Sequence, residues 1–201
     1  MPKPTRALLL VLIAACHTDP VAPDAQPVPS VAGHWLSACV PQPQADGSTL
    51  YATLELTGSD PDRWALAYTL HGDAACAAQL VTIAIHGGYE LDEPSPVVPG
   101  ARDARFAFDD KTITPYVQPI ADALGAAHCG SAAWQLGVAQ SVYAAGCATF
   151  GQYPQAQCSA DYDLIDVEGA TLHFGNRPAD NNMCTPDRRP AELSPIGLTK
   201  Q

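Results

Sequence analysis

The sequence predicts a mainly β fold: an antiparallel, barrel-like or half-open curved sheet with one helix, stapled by disulfides. Three observations carry the prediction. Apolar and polar residues alternate with period two through much of 33–110, one segment alone shows convincing helical spacing, and an even set of six cysteines follows an export-type leader.

The leader comes first. MPKPTRALLLVLIAA places Lys3 and Arg6 ahead of an uncharged run from Ala7 to Ala15, which ends at Cys16. This is the layout of a secretory signal peptide over 1–15. The run is well short of the roughly 20 apolar residues that a membrane-crossing helix needs. Ile13-Ala14-Ala15-Cys16 resembles the lipobox of bacterial lipoproteins, in which the Cys thiol receives a diacylglycerol with palmitate-type chains. The expectation is therefore a lipid anchor at Cys16, membrane-attached without spanning. His17 stands where an Asp signals inner-membrane retention in enteric bacteria, which favours the outer membrane within the cell envelope. Residues 16–30 form the acylated Cys and a Pro-rich tether, HTDPVAPDAQPVPS after the Cys, without an apolar period. As polyproline II it reaches about 40 Å.

Residues 31–201 are expected to form a single domain. The formal charge is -11, and loss of Lys3 and Arg6 with the leader deepens it by two. Such a surface is a poor partner for nucleic acid or anionic headgroups. Cys39, Cys76, Cys129, Cys147, Cys158 and Cys184 point to three disulfides in an oxidising compartment. Six cysteines allow fifteen connectivities, and the sequence leaves the choice open.

The strands follow in order. Leu50, Ala52, Leu54 and Leu56 alternate with Tyr51, Thr53, Glu55 and Thr57; after the polar turn 58–62, Trp64, Leu66, Tyr68 and Leu70 alternate with Ala65, Ala67 and Thr69. A third run, Leu80 to Ile85, continues through Gly87-Gly88 to Tyr89 and Leu91, and Phe106 with Phe108 marks a fourth. Pro115 to Ala127 is the expected helix, with Val117, Ile120, Ala121 and Leu124 at helical spacing. Tyr162 to Val167 and Ala170 to Phe174 flank Glu168-Gly169 as a hairpin.

Gly33-His34-Trp35-Leu36-Ser37 with Cys39, then Asp73 with Cys76, Ile83 to Tyr89, and Thr112 to Pro115 resemble, in order, segments of the adenomatosis polyposis coli down-regulated (APCDD) domain. So do Ala123-Leu124, Cys129-Gly130, Trp134 to Val138, Gln140, Val142, Gly146-Cys147 and Phe174 to Asp180. The opening Gly-x-Trp is shared with lipocalins, whose eight-stranded barrel has the same general, lipocalin-like architecture. The resemblance implies a half-open barrel with a greasy pocket that accepts a lipid acyl chain. Its order also implies the pairs Cys129 with Cys147 and Cys39 with Cys76, leaving Cys158 with Cys184. Animal members inhibit Wnt signalling. This chain departs from them in having one domain copy, no membrane-spanning tail and the extra Cys158 and Cys184, so lipid binding is what the resemblance carries over.

Trp64, Leu66, Tyr68, Ile83, Ile85, Phe106 and Phe108 are the candidate pocket lining, with Trp134 at a rim or over the helix. Pattern alone leaves open whether the barrel is hollow or filled, because eight strands suit either. Trp35 reads as a plug closing one end. No catalytic residue, cofactor or metal site is expected. There is no G-x-S-x-G elbow, and His34, His71, His86, His128 and His173 are scattered singly. Asp109-Asp110 and Asp161 with Asp163 read as solvated turns. The expected function is a non-catalytic envelope lipoprotein that binds a hydrophobic ligand, a lipid or acyl chain. The alternative is a structural or protein-interaction module with a solid core.

Overall fold

The structure is a computed structural model that describes residues 28–59, 61–130 and 133–201. The expected signal peptide, the expected lipidation site Cys16 and most of the expected Pro-rich tether lie outside the described residues.

The strands are β1 (Gly33–Ser37), β2 (Val40–Pro43), β3 (Thr49–Ser59), β4 (Arg63–His71), β5 (Gln79–Pro94), β6 (Arg102–Ala107) and β7 (Asp110–Pro115). After helix α1 (Gln118–Ala126) come β8 (Gln140–Ser141), β9 (Ala160–Glu168), β10 (Thr171–Gly175) and β11 (Leu193–Lys200). Eight of them close an antiparallel barrel in the order β1-β3-β4-β5-β6-β9-β10-β11 and back to β1. The mainly β, disulfide-stapled architecture expected from period-two alternation is thus the one observed.

The barrel is not uniform along its axis. Strands β6 and β7 run one after the other along the same edge of the long β5, and β6 pairs onward with β9 while β7 pairs onward with β8. Likewise β1 and β2 follow one another along β3. At the level of β2 and β8 the sheet therefore has two edges, and the ring is split there. The break between β6 and β7 is built around Gly87, where a Cβ would stand 1.9 Å from the Ala107 carbonyl oxygen, so only glycine admits that approach.

Inward positions make two apolar clusters. One surrounds Trp35, Leu56, Leu172, Leu198 and Val31 and fills the end where β1 meets β11. There Trp35 is the plug the sequence suggested: it is 1% exposed, its Nε1 donates to the Val31 carbonyl at 3.0 Å, and Lys200 Nζ lies 5.0 Å above its ring. The other cluster sets Leu124 of α1 against Val81, Ile83 and Ile113, so the helix covers the inner face at the opposite end.

Helix α1 begins later than expected. Pro115 is the last residue of β7, paired with Val81, and Val117 is extended (φ -131, ψ 145), so the helix starts at Gln118 with Pro119 in its first turn. That position suits proline because its missing N–H would have no helical partner. The Glu168-Gly169 hairpin between β9 and β10 is present. The disulfides are Cys39–Cys76, Cys129–Cys147 and Cys158–Cys184, the pairs the resemblance implied. The first ties the β1–β2 turn to the β4–β5 loop. The second ties the exit of α1 to the segment after β8, and the third ties the approach to β9 to the chain that leads into β11.

Among the described residues no helix is long and apolar enough to cross a membrane. Outward positions of the barrel carry Glu55, Glu90, Arg105 and Asp166, where a membrane-spanning barrel presents an apolar band.

Candidate functional site

Between the two apolar clusters the barrel is hollow. The cavity has a volume of about 410 Å³, within the roughly 300–1,000 Å³ of small-molecule pockets. Strand alternation makes it: Leu54 on β3, Leu66 and Tyr68 on β4 and Ile85 on β5 point inward, yet each is only partly buried. An inward apolar side chain that is not fully covered has empty space beside it.

Of the eight candidate ligand residues, Trp64, Leu66, Tyr68, Ile83, Ile85 and Phe106 line this cavity. Trp64 and Phe106 meet edge to face at 4.9 Å, and Phe174 of β10 packs on Phe106 at 5.7 Å. Phe108 and Trp134 do not line it. Phe108 falls in the break between β6 and β7, where its N–H donates to the Ser159 carbonyl and its ring packs against Lys111 Nζ (3.9 Å) and Tyr143. It stays in the buried cluster of Trp64 and Phe106, its ring 6.2 Å from that of Trp64, without being part of the cavity lining. Trp134 packs with Leu124 and Cys129, and its Nε1 donates to the Cys129 carbonyl at 2.9 Å, so it covers the helix.

One wall of the cavity is polar, and here the sequence reading is corrected. Asp161 and Asp163 are not in a solvated turn: they stand on β9, opposite Phe106 and Ala104, at 6% and 2% exposure. Asp163 Oδ1 accepts from the N–H groups of Leu164 (2.7 Å) and Gly175 (2.9 Å). A Cβ at Gly175 would sit 2.6 Å from that oxygen, so glycine is what lets the carboxylate approach the backbone. Arg177 follows two residues later. Its Nη2 donates to Asp161 Oδ2 at 2.6 Å, its Nε donates to Asn181 Oδ1 at 2.6 Å, and its Nη1 stands 4.0 Å from Asp163 Oδ2. Although Arg177 is enclosed by these partners, 40% of its side-chain surface is open, and it lines the cavity.

Lys111, on β7 opposite Ile85, adds a buried cation at 3% exposure. Burial lowers its pKa to about 8, partly opposed by the charge of Asp161. Burial pushes Asp163 up to about 7, opposed by the Arg177 guanidinium. Desolvation disfavours the charge of Arg177, but Asp161 and Asp163 together outweigh it and raise its pKa. The donor atoms of Cys158, Asp161 and Cys184 lie within 4.8 Å of one another, but the two sulfurs share a disulfide and offer no thiolate to a metal.

Several other polar side chains pair away from the cavity lining. Arg63 pairs with Asp109 on the surface, and His34 pairs with Glu55 at 2.8 Å. His71 is buried, with Nε2 3.1 Å from Thr53 Oγ1 on the outer face of the sheet. Arg189 crosses the outside of β6 and β9, binding Asp103 and donating to the carbonyl of Asp163 at 3.1 Å.

The residues missed at the sequence level are Asp161, Asp163, Arg177 and Asn181. Their signals were weak but present: Asp161 and Asp163 share the parity of Ile165 and Val167, and Gly175 and Arg177 fall inside the 174–180 segment. No known protein-family model matches the chain, and no curated protein matches it.

Proposed function

We propose that this protein is a non-catalytic binding protein for a hydrophobic or amphipathic small molecule, a lipid or an acyl chain, held inside the barrel. One observation carries the reading: a cavity of about 410 Å³ whose inward apolar side chains are left partly uncovered. A solid-core structural module would have filled that space, since a void forfeits packing contacts throughout its lining. The ordered likeness to the APCDD domain, with its acyl-accepting pocket, supports the same reading, and so does the predominantly apolar wall formed by β3, β4 and β5.

The anchor gives the binding a place. With Cys16 acylated and a tether of about 40 Å, the barrel meets ligands at the face of the envelope membrane, the outer membrane by the His17 criterion. Metabolic labelling with an alkynyl fatty acid is expected to mark the wild-type chain and to miss Cys16→Ser; equal labelling of both removes the anchor.

Binding is tested by filling the cavity. Leu66→Trp places an indole into the space bordered by Tyr68 and Ile85. The substitution is expected to weaken uptake of a fluorescent fatty acid at least tenfold, while the unfolding free energy changes by no more than about 1–2 kcal/mol. Wild-type protein in native mass spectrometry with a lipid extract is expected to carry lipid. Undiminished uptake by Leu66→Trp would place the ligand elsewhere.

A further inference from the structure

The polar wall has an unfinished hydrogen-bonding pattern. Asp163 Oδ1 is saturated by two backbone N–H groups, which leaves Oδ2 facing Arg177 Nη1 across 4.0 Å, too far for a direct bond. Among the described residues no hydrogen bond to that Oδ2 is formed, and Asp163 borders the cavity. Arg177 is fixed through Nε by Asn181 and through Nη2 by Asp161, which holds its Nη1 at the edge of the gap. An oxygen that accepts from Nη1 and donates to Oδ2, each over about 2.8 Å, closes a triangle on this edge with a near-right angle at its apex. A hydroxyl group does both at once.

Charge narrows the choice. Asp161, Asp163, Arg177 and Lys111 bring two acids and two bases to this end of the barrel. A carboxylate head would be pressed against the acids and an ammonium head against the bases, each in a poorly solvated site. A neutral head that both donates and accepts meets neither penalty.

We propose that the Asp163–Arg177 gap is a subsite for the neutral hydroxyl head of an amphiphile whose apolar body occupies the barrel. The assignment rests on the binding function proposed above. Arg177 Nη1 donates to the hydroxyl oxygen, and Asp163 Oδ2 accepts its proton. The Trp64 and Phe106 rings border the apolar chain.

The test uses the full chain and displacement of N-phenyl-1-naphthylamine at pH 8 by decan-1-ol, 1-methoxydecane, decanoate and decylamine, which share a ten-carbon chain. Decan-1-ol is expected to displace the probe about tenfold more tightly than the methyl ether, which cannot donate to Oδ2. The two charged compounds are expected to do no better than the ether. Asp163→Asn keeps an oxygen for the Leu164 and Gly175 N–H groups and offers an N–H₂ to the cavity, so the alcohol-over-ether preference should fall below about threefold. Equal displacement by alcohol and ether in the wild type would show that water alone spans the gap, overturning the subsite while the cavity still binds. A preference that survives in Asp163→Asn overturns it as well. Failure of the probe and of every decyl compound to bind would overturn the binding function and the subsite together. The wild-type ligand series decides the matter even if the variant does not fold.

Discussion

Trp35→Ala is expected to lower the unfolding free energy by about 3–5 kcal/mol, read as a fall in denaturant midpoint at unchanged m-value. The indole lies where β1 pairs with β3 and β11, opposite Leu56 on one side and Lys200 on the other. Val31, Leu56, Leu172 and Leu198, each at 1% exposure or less, surround it. Three losses coincide on truncation. The aromatic area is returned to a void, the Val31 carbonyl loses its indole donor, and Lys200 loses the ring under its ammonium. A ring of closed strands around the site cannot collapse far, so the void persists. Trp64→Ala supplies the internal comparison. Trp64 is also buried, but it borders the cavity, so its removal enlarges space already present and should cost measurably less. If both substitutions cost the same, the distinction between a packed end and a hollow middle fails.

That distinction marks the limit of what the sequence discloses. Alternation along 50–57 and 64–70 fixes which side chains face inward, because a strand's period is two whatever surrounds it. The same alternation is silent on whether facing side chains meet, since that depends on strand tilt and on how far α1 enters the barrel. Leu66 and Leu56 are alike in sequence, yet one borders the hollow and the other is fully packed. The polar wall was hidden for a different reason. On β9, Tyr162, Leu164 and Asp166 alternate with Asp163, Ile165 and Val167, so each face carries both apolar and acidic residues. The ambiguity arises because Arg189 crosses the outer face of β9, where Leu164 is fully buried. Once both faces are covered, hydrophobicity no longer tells inside from outside. Phe108 shows a finer limit: it shares the buried cluster of Phe106 and Trp64, as its spacing promises, yet it lies beyond the end of β6 and only Phe106 borders the hollow.

Arg177→Met is expected to destabilise the protein in a strongly pH-dependent way. In the wild type Asp163 has its pKa raised to about 7 against an ordinary value of 3.8. The folded chain therefore retains a proton that the unfolded chain has lost, and this carboxyl makes stability fall as pH rises from about 4 to 7. Arg177 opposes the shift by favouring the ionised carboxylate. Removing it raises Asp163 further, extends the decline above pH 7, and leaves Asp161 without its 2.6 Å partner. Stranding a buried carboxylate costs about 3–5 kcal/mol when no water reaches it. Arg177 keeps 40% of its side-chain surface open to the cavity, so solvent there brings the expected loss to about 2–3 kcal/mol at pH 8. At pH 5, where Asp163 is protonated in both proteins, its share of the loss disappears and the cost of unpairing Asp161 is left, so the deficit should shrink to about 1–2 kcal/mol. Denaturation midpoints at the two pH values test this, and Asp163→Asn in the Arg177→Met background should recover much of the loss at pH 8. A deficit of equal size at pH 5 and pH 8 would mean that Arg177 does not act through Asp163. The charge of Asp163 would then be satisfied by some other group, and Lys111, buried on β7 and pushed down to about 8, is the cation that Lys111→Met would examine next.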